Sequence, residues 1–125
     1  MGQAQKFDRE VFKKRLYNFI LKLIEFIDNL PKDRVCFIIG DQLLRSGTSI
    51  LGNYIEGQSA SSKKEFLVFM QYCLKSTNES KVWIAVLRDS KRAKKERADW
   101  FLKELDEYSK IFASSILTIK GKRTI

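Results

Sequence analysis

Three carboxylates, Asp41, Glu56 and Glu79, and one guanidinium, Arg45, are the side chains whose types suit them to move a proton or hold a charged group. A carboxylate pair divides acid and base roles only when its surroundings push the two pKa values apart and a substrate reaches both. No second base, metal-binding cluster or phosphate-cradling glycine loop accompanies these acids. The sequence also has no histidine, which removes the commonest general base and the commonest metal ligand. Catalysis is therefore the weaker reading, and no cofactor is expected. Cys36 and Cys73 lie in apolar segments without CxxC spacing, which reads as two small core residues in a reducing compartment.

The spacing of the same polar residues suggests a structural use. Asp41, Arg45, Ser49, Gly52 and Glu56 fall on one helical stripe, with Ser46 and Asn53 beside it. A solvated stripe, with an Asp41 to Arg45 pair worth ~0.3 kcal/mol, is one reading. A packed polar network is the other, because glycine and small hydroxyls suit an exposed helix face poorly. If this helix and the next run antiparallel about the turn at residues 59–61, Arg45 comes within about a turn of Glu79. On that reading Asp41, Arg45, Asn53, Glu56 and Glu79 share one network.

Basic residues outnumber acidic ones by 24 to 15, a net charge of +9 at pH 7, which implies an anionic partner or simple solubility. Position separates the two. In an up-down bundle Lys91, Arg92, Lys94, Lys95 and Arg97 gather at one end, with Lys32 and Arg34, while Lys120, Lys122 and Arg123 gather at the other, with the acids mostly along the shafts. These clusters are expected to meet RNA or DNA phosphates through counterion release, with little reading of base sequence. No recognised nucleic-acid motif is present, so a protein–protein interaction scaffold without nucleic acid remains the alternative.

The elements that would position these groups are helices. Phe12, Leu16, Phe19, Leu23, Phe26 and Leu30 alternate by four and three, and a second stripe of Tyr17, Ile20, Ile24 and Ile27 runs beside them. Two stripes are too wide for one bundle core, so Tyr17, Ile20, Ile24 and Ile27 are expected to be covered in a homo-oligomer. Pro31 closes the first helix and Asp33 is placed to cap the second. Ser62 and Glu65 form the pattern of a capping box for the third. Gly40, Gly47 and Gly52 in mid-helix imply close approach of a neighbour, and Gly57 reads as a left-handed C-cap. Helices are expected over about 8–29, 34–56, 62–89 and 95–119. With 44% hydrophobic residues, one proline and six glycines, residues 1–125 read as one all-α domain, an antiparallel up-down-up-down four-helix bundle. No signal peptide or membrane-length apolar run is visible, and a cytoplasmic location is expected.

The central third carries a resemblance. Asp41-Gln42-Leu43, Arg45-Ser46, Ser49-Ile50, Asn53, Glu56-Gly57, Ser62 and Lys64-Glu65-Phe66, followed by Ser76, Glu79 and Trp83, resemble the pattern of the four-helix bundle proteins encoded in intervening sequences of bacterial 23S rRNA genes, also called ribosomal-protein-like bundles. The likeness spans roughly Leu16 to Leu87. It implies a ring-like homopentamer without an established catalytic role, and kinship to the basic accessory bundles of diversity-generating retroelements. The chain departs from that pattern in its first helix, which lacks the usual tryptophan, and at Leu51-Gly52, where alanine is more typical.

Overall fold

Asp8, Asp33 and Ser62 each turn a side-chain oxygen onto the amides of the turn that follows, and each thereby starts a helix. Asp8 Oδ1 accepts from the amides of Glu10 and Val11 at 2.9 and 3.1 Å. Asp33 Oδ1 accepts from Cys36 at 2.8 Å, and Ser62 Oγ accepts from Glu65 at 3.1 Å. The structure, a computed structural model, describes residues 7–121. Within them lie α1 (Arg9–Asp28), α2 (Arg34–Gln58), α3 (Lys63–Asp89) and α4 (Lys95–Ile119). The capping box forms only by half, because the Glu65 carboxylate accepts from Ser61 Oγ (3.0 Å).

Cross-helix contacts fix the direction of each helix. Between α2 and α3, Ser46 Oγ lies 2.7 Å from Ser80 Oγ, and the Cys73 thiol donates to the Ile50 carbonyl at 3.6 Å. Between α3 and α4, Ser109 Oγ donates to Asn78 (3.1 Å), Lys81 meets Asp106 (3.4 Å) and Arg88 meets Asp99 (2.9 Å). In both pairs residue numbers rise on one helix as they fall on its neighbour. The four helices therefore make an antiparallel up-down-up-down bundle, as the short turns require.

Glycine sets the closest approaches. A Cβ on Gly47 would lie 2.4 Å from Leu23 Cδ2, and one on Gly40 would lie 3.3 Å from Ile27 Cγ2, so α1 meets α2 at these two points. Gly57 does not cap α2. The helix runs on through Gln58 because Gly57 is needed inside it, where a Cβ would meet Met70 Cε at 2.9 Å and Phe69 Cβ at 3.2 Å. Gly52 has no atom within 4 Å of its Cβ position, so no neighbour within the chain accounts for it.

α1 and α4 are joined by large rings. Phe19 packs edge-on against Phe101 and Tyr108 with centroids 5.5 and 5.3 Å apart, and Phe26 leans on Phe101 at 4.9 Å. The core also takes the fully buried Leu23, Leu43, Ile84, Leu87, Leu105 and Phe112. Each such side chain contributes about 1.5–3 kcal/mol of apolar transfer. Both cysteines are buried and free, as expected of small core residues. Among the described residues no helix is long and apolar enough to cross a membrane.

Candidate nucleic-acid interface

Helix α3 ends in a left-handed closure. The Lys91 amide donates to the Arg88 carbonyl, and the Arg92 and Ala93 amides both donate to the Leu87 carbonyl, at 2.9–3.1 Å. Lys91 takes a φ of 63°, a conformation that glycine adopts freely and a lysine adopts at a cost of ~1 kcal/mol or more. The sharp reversal sets Arg88, Lys91, Arg92, Lys94 and Lys95 around a shallow groove of about 610 Å³, with Asp89 as its acid.

Side-chain pairing divides the five candidates at this end. Arg92 Nε reaches Asp33 Oδ2 at 3.3 Å, Arg97 reaches Glu25 at 3.4 Å, and Lys95 pairs with Asp99. Lys91 and Lys94 are exposed and have no ion pair among the described residues. This corrects the expectation that acids keep to the shafts: Glu25, Asp33 and Asp99 offset part of the cluster. The Cys36 amide, with Arg92 adding its charge, holds the Asp33 carboxyl below its usual range, and Lys95 and Arg88 do the same for Asp99. Asp33 and Asp99 are thus favoured in their ionised form beside Arg92 and Lys95.

The start of α4 adds to the positive character. Lys94 stands at its N-cap with no side-chain acceptor for the first-turn amides, whereas α1, α2 and α3 are each capped by an oxygen. Free amides and the helix dipole together place about half a positive charge at that point, beside Lys91 and Lys94. An anion lodged there would meet two cations and a helix start. At the opposite end Lys120 is exposed at the close of α4, and Lys122 and Arg123 lie outside the described residues.

The polar stripe is not a network within one chain. Asp41, Arg45, Glu56 and Glu79 are exposed, and no hydrogen bond or ion pair joins them to one another. Asn53 Nδ2 donates to the Ser49 carbonyl (2.9 Å), and Glu79 accepts from Trp83 Nε1 (3.4 Å). The register that brings Arg45 near Glu79 along the axis is present. It is Ser46 and Ser80, the next residues, that face across the contact, which turns Arg45 and Glu79 outward.

The second apolar stripe divides between the bundle and its surface. Ile20 and Ile27 are half-buried against the core, while Tyr17 and Ile24 are 55% and 41% exposed. Ile27 lies against Gly40, so this side of α1 borders α2. On α2, Phe37, Leu44 and Ile55 sit one step round the helix from Gly40 and Gly47 and are also exposed. Together they make one open apolar face across α1 and α2.

One cluster that local sequence did not reveal binds α1 to α4. Arg15 Nε and Nη2 hold Glu104 at 2.7 and 2.9 Å, and the Tyr108 hydroxyl donates to the same carboxylate at 2.7 Å. Its members are 89 residues apart, and no motif links them. Among the described residues no group of three or more Cys, Asp or Glu side chains is gathered to hold a metal ion.

Comparison with known proteins adds the lineage. No curated protein matches the sequence. Among solved structures, a protein of unknown function from the S23 ribosomal protein family of Bacteroides thetaiotaomicron VPI-5482 is similar, with a TM-score of 0.77 and 27% identity over 83% of this chain and 96% of that one. The family model described as 23S rRNA-intervening sequence protein matches residues 8–114, from the cap of α1 to the last turns of α4. The chain therefore belongs to the 23S rRNA-intervening sequence protein family.

Proposed function

We propose that the chain is a non-enzymatic, self-assembling basic bundle that holds RNA or DNA by its phosphates. The observation that carries this reading is the α3–α4 groove, where Lys91 and Lys94 stand without ion pairs beside the uncapped start of α4. A phosphate diester supplies the anion this arrangement lacks, and a lysine meets it as a point charge. Asp41, Glu56 and Glu79 are dispersed on exposed helix faces, and burial pushes the Cys73 thiol up to about 12, which leaves it protonated and unreactive.

Self-assembly rests on the apolar face of Tyr17, Ile24, Phe37, Leu44 and Ile55, which a single chain leaves in water. In a closed ring each subunit would bring one groove, and the family resemblance implies five. The same apolar face favours the second reading, a protein–protein scaffold that binds no nucleic acid.

A titration of 23S rRNA fragments and of duplex DNA over a range of salt separates the readings. Phosphate binding predicts affinity that falls steeply with salt and hardly differs between sequences. If neither nucleic acid binds even in low salt, the scaffold reading takes its place.

A further inference from the structure

Tyr54 carries a buried hydroxyl with no hydrogen-bond partner among the described residues. Its ring is well held, edge-on to Phe12 at 5.1 Å and tilted against Phe112 at 6.5 Å, and the residue is 3% exposed. A phenylalanine would make the same ring contacts with no unmet bond, so packing does not explain the oxygen.

The residue lines a cavity of about 880 Å³ at the end of the bundle where α1 begins and α4 closes. That volume falls within the range of small-molecule sites. Phe66, Met70 and Ile111 give it apolar walls, and Arg9, Gln58 and the hydroxyl side chains of Ser114, Ser115 and Thr118 stand with Tyr54 as polar groups. Two other charges border it, Glu107 and Lys110, and these are engaged by Arg15 at 3.9 Å and Asp106 at 3.3 Å. Arg9 makes no ion pair among the described residues. The cavity thus joins a hydrocarbon surface to one cation without an ion pair and to the one buried hydroxyl that has no partner among the described residues.

We propose that this cavity binds a small carboxylic acid with an apolar body, the carboxylate facing Arg9 and accepting from Tyr54 Oη, which a shift of the side chains around it uncovers, while the hydrocarbon lies on Phe66, Met70 and Ile111. A neutral apolar molecule would leave the buried hydroxyl unanswered, and a bare anion would leave the walls wet. Burial pushes the phenol up to about 12, so at neutral pH it is a hydrogen-bond donor rather than a second anion. The site is separate from the α3–α4 groove, and its occupancy does not depend on nucleic acid.

Met70 makes the test direct. It is one of only two methionines, so a ¹³C-methyl methionine label, with Met70→Leu to assign the signal, reports the cavity wall. Octanoate, octanol and acetate are titrated into the full chain. Octanoate is expected to shift the Met70 methyl saturably, octanol more weakly, and acetate not at all. Tyr54→Phe and Arg9→Gln should each weaken octanoate about tenfold and leave octanol unchanged. Without ligand, Tyr54→Phe should keep or raise the thermal midpoint, because it removes an unmet bond. No shift with octanoate, equal binding of octanoate and octanol, or undiminished octanoate binding by Tyr54→Phe overturns the proposal. A lowered midpoint for unliganded Tyr54→Phe also overturns it, since the hydroxyl would then be satisfied by the chain itself.

Discussion

Arg15 and Glu104 meet as a fork, two parallel N–H···O bonds on one carboxylate, and Tyr108 adds a third. Hydrogen bonds to charged groups are the stronger kind, and this set joins α1 to α4 where the backbones stand apart. The Arg15 bonds hold the Glu104 carboxyl below its usual value while burial opposes them, so the bonds win. A carboxyl lowered in the folded state stabilises the fold above its unfolded pKa, and that stability is lost as pH falls through the folded value. Arg15→Gln is therefore expected to cost about 1–2 kcal/mol in urea unfolding at neutral pH. The gap from the parent should narrow as pH drops below about 4. A gap that stays constant into acid would mean that the arginine acts through its packing alone. None of this was readable beforehand, because a bond spanning 89 residues leaves no local pattern.

At the level of the helices, glycine gives the sharpest contrast. In a helix interior alanine is favoured over glycine by about 1 kcal/mol. At Gly52 the added methyl meets open space, so Gly52→Ala should stabilise the isolated subunit by about that amount. At Gly47 it would strike the buried Leu23 at 2.4 Å, and forcing a packed leucine aside costs about 1–3 kcal/mol. Gly47→Ala should thus be neutral to destabilising, and thermal midpoints of the two variants order them. If Gly47→Ala proves the more stable of the two, the close approach of α1 to α2 is not as described.

The same elements show what periodicity can and cannot carry. The seam from Phe12 to Leu30, the caps at Asp33 and Ser62, and the close approaches at Gly40 and Gly47 were legible because each is a local pattern tied to one helix face. Gly57 was misread as a cap because its reason lies across the bundle, in Met70 and Phe69. The polar stripe was misread for a similar cause. Spacing gave the register of α2 on α3, but a rotation of one residue decides whether Arg45 or Ser46 faces the neighbour. Likewise, two acids that offset the basic cluster, Glu25 and Asp33, were missed because they reach Arg97 and Arg92 across 72 and 59 residues, whereas Asp99 pairs with Lys95 only four residues away.

For the whole molecule, the open face on α1 and α2 and the groove at the α3–α4 loop make separable predictions. Replacing Tyr17 and Ile24 together by glutamate puts charge on the apolar face without touching the core, and should shift sedimentation equilibrium from oligomer toward monomer. A parent that is already a stable monomer at micromolar concentration would contradict self-assembly.

The groove narrows the choice of basic residues to be tested. Arg92 and Lys95 pair with Asp33 and Asp99, so removing them would also take a cation from each of two acids and blur the result. Lys91→Gln with Lys94→Gln removes the two cations of the groove that have no ion pair among the described residues and leaves those ion pairs in place. The most direct measurement is the slope of log affinity against log salt for this double variant and the parent, on one RNA fragment. Each phosphate contact contributes about 0.9 to that slope on a duplex and about 0.7 on a single strand. The account predicts weaker binding and a slope shallower by one to two contacts for each subunit engaged, with the oligomer unchanged. Equal affinity and equal slope at every salt concentration would contradict it, and would leave Lys91 and Lys94 as charge that merely keeps the bundle in solution.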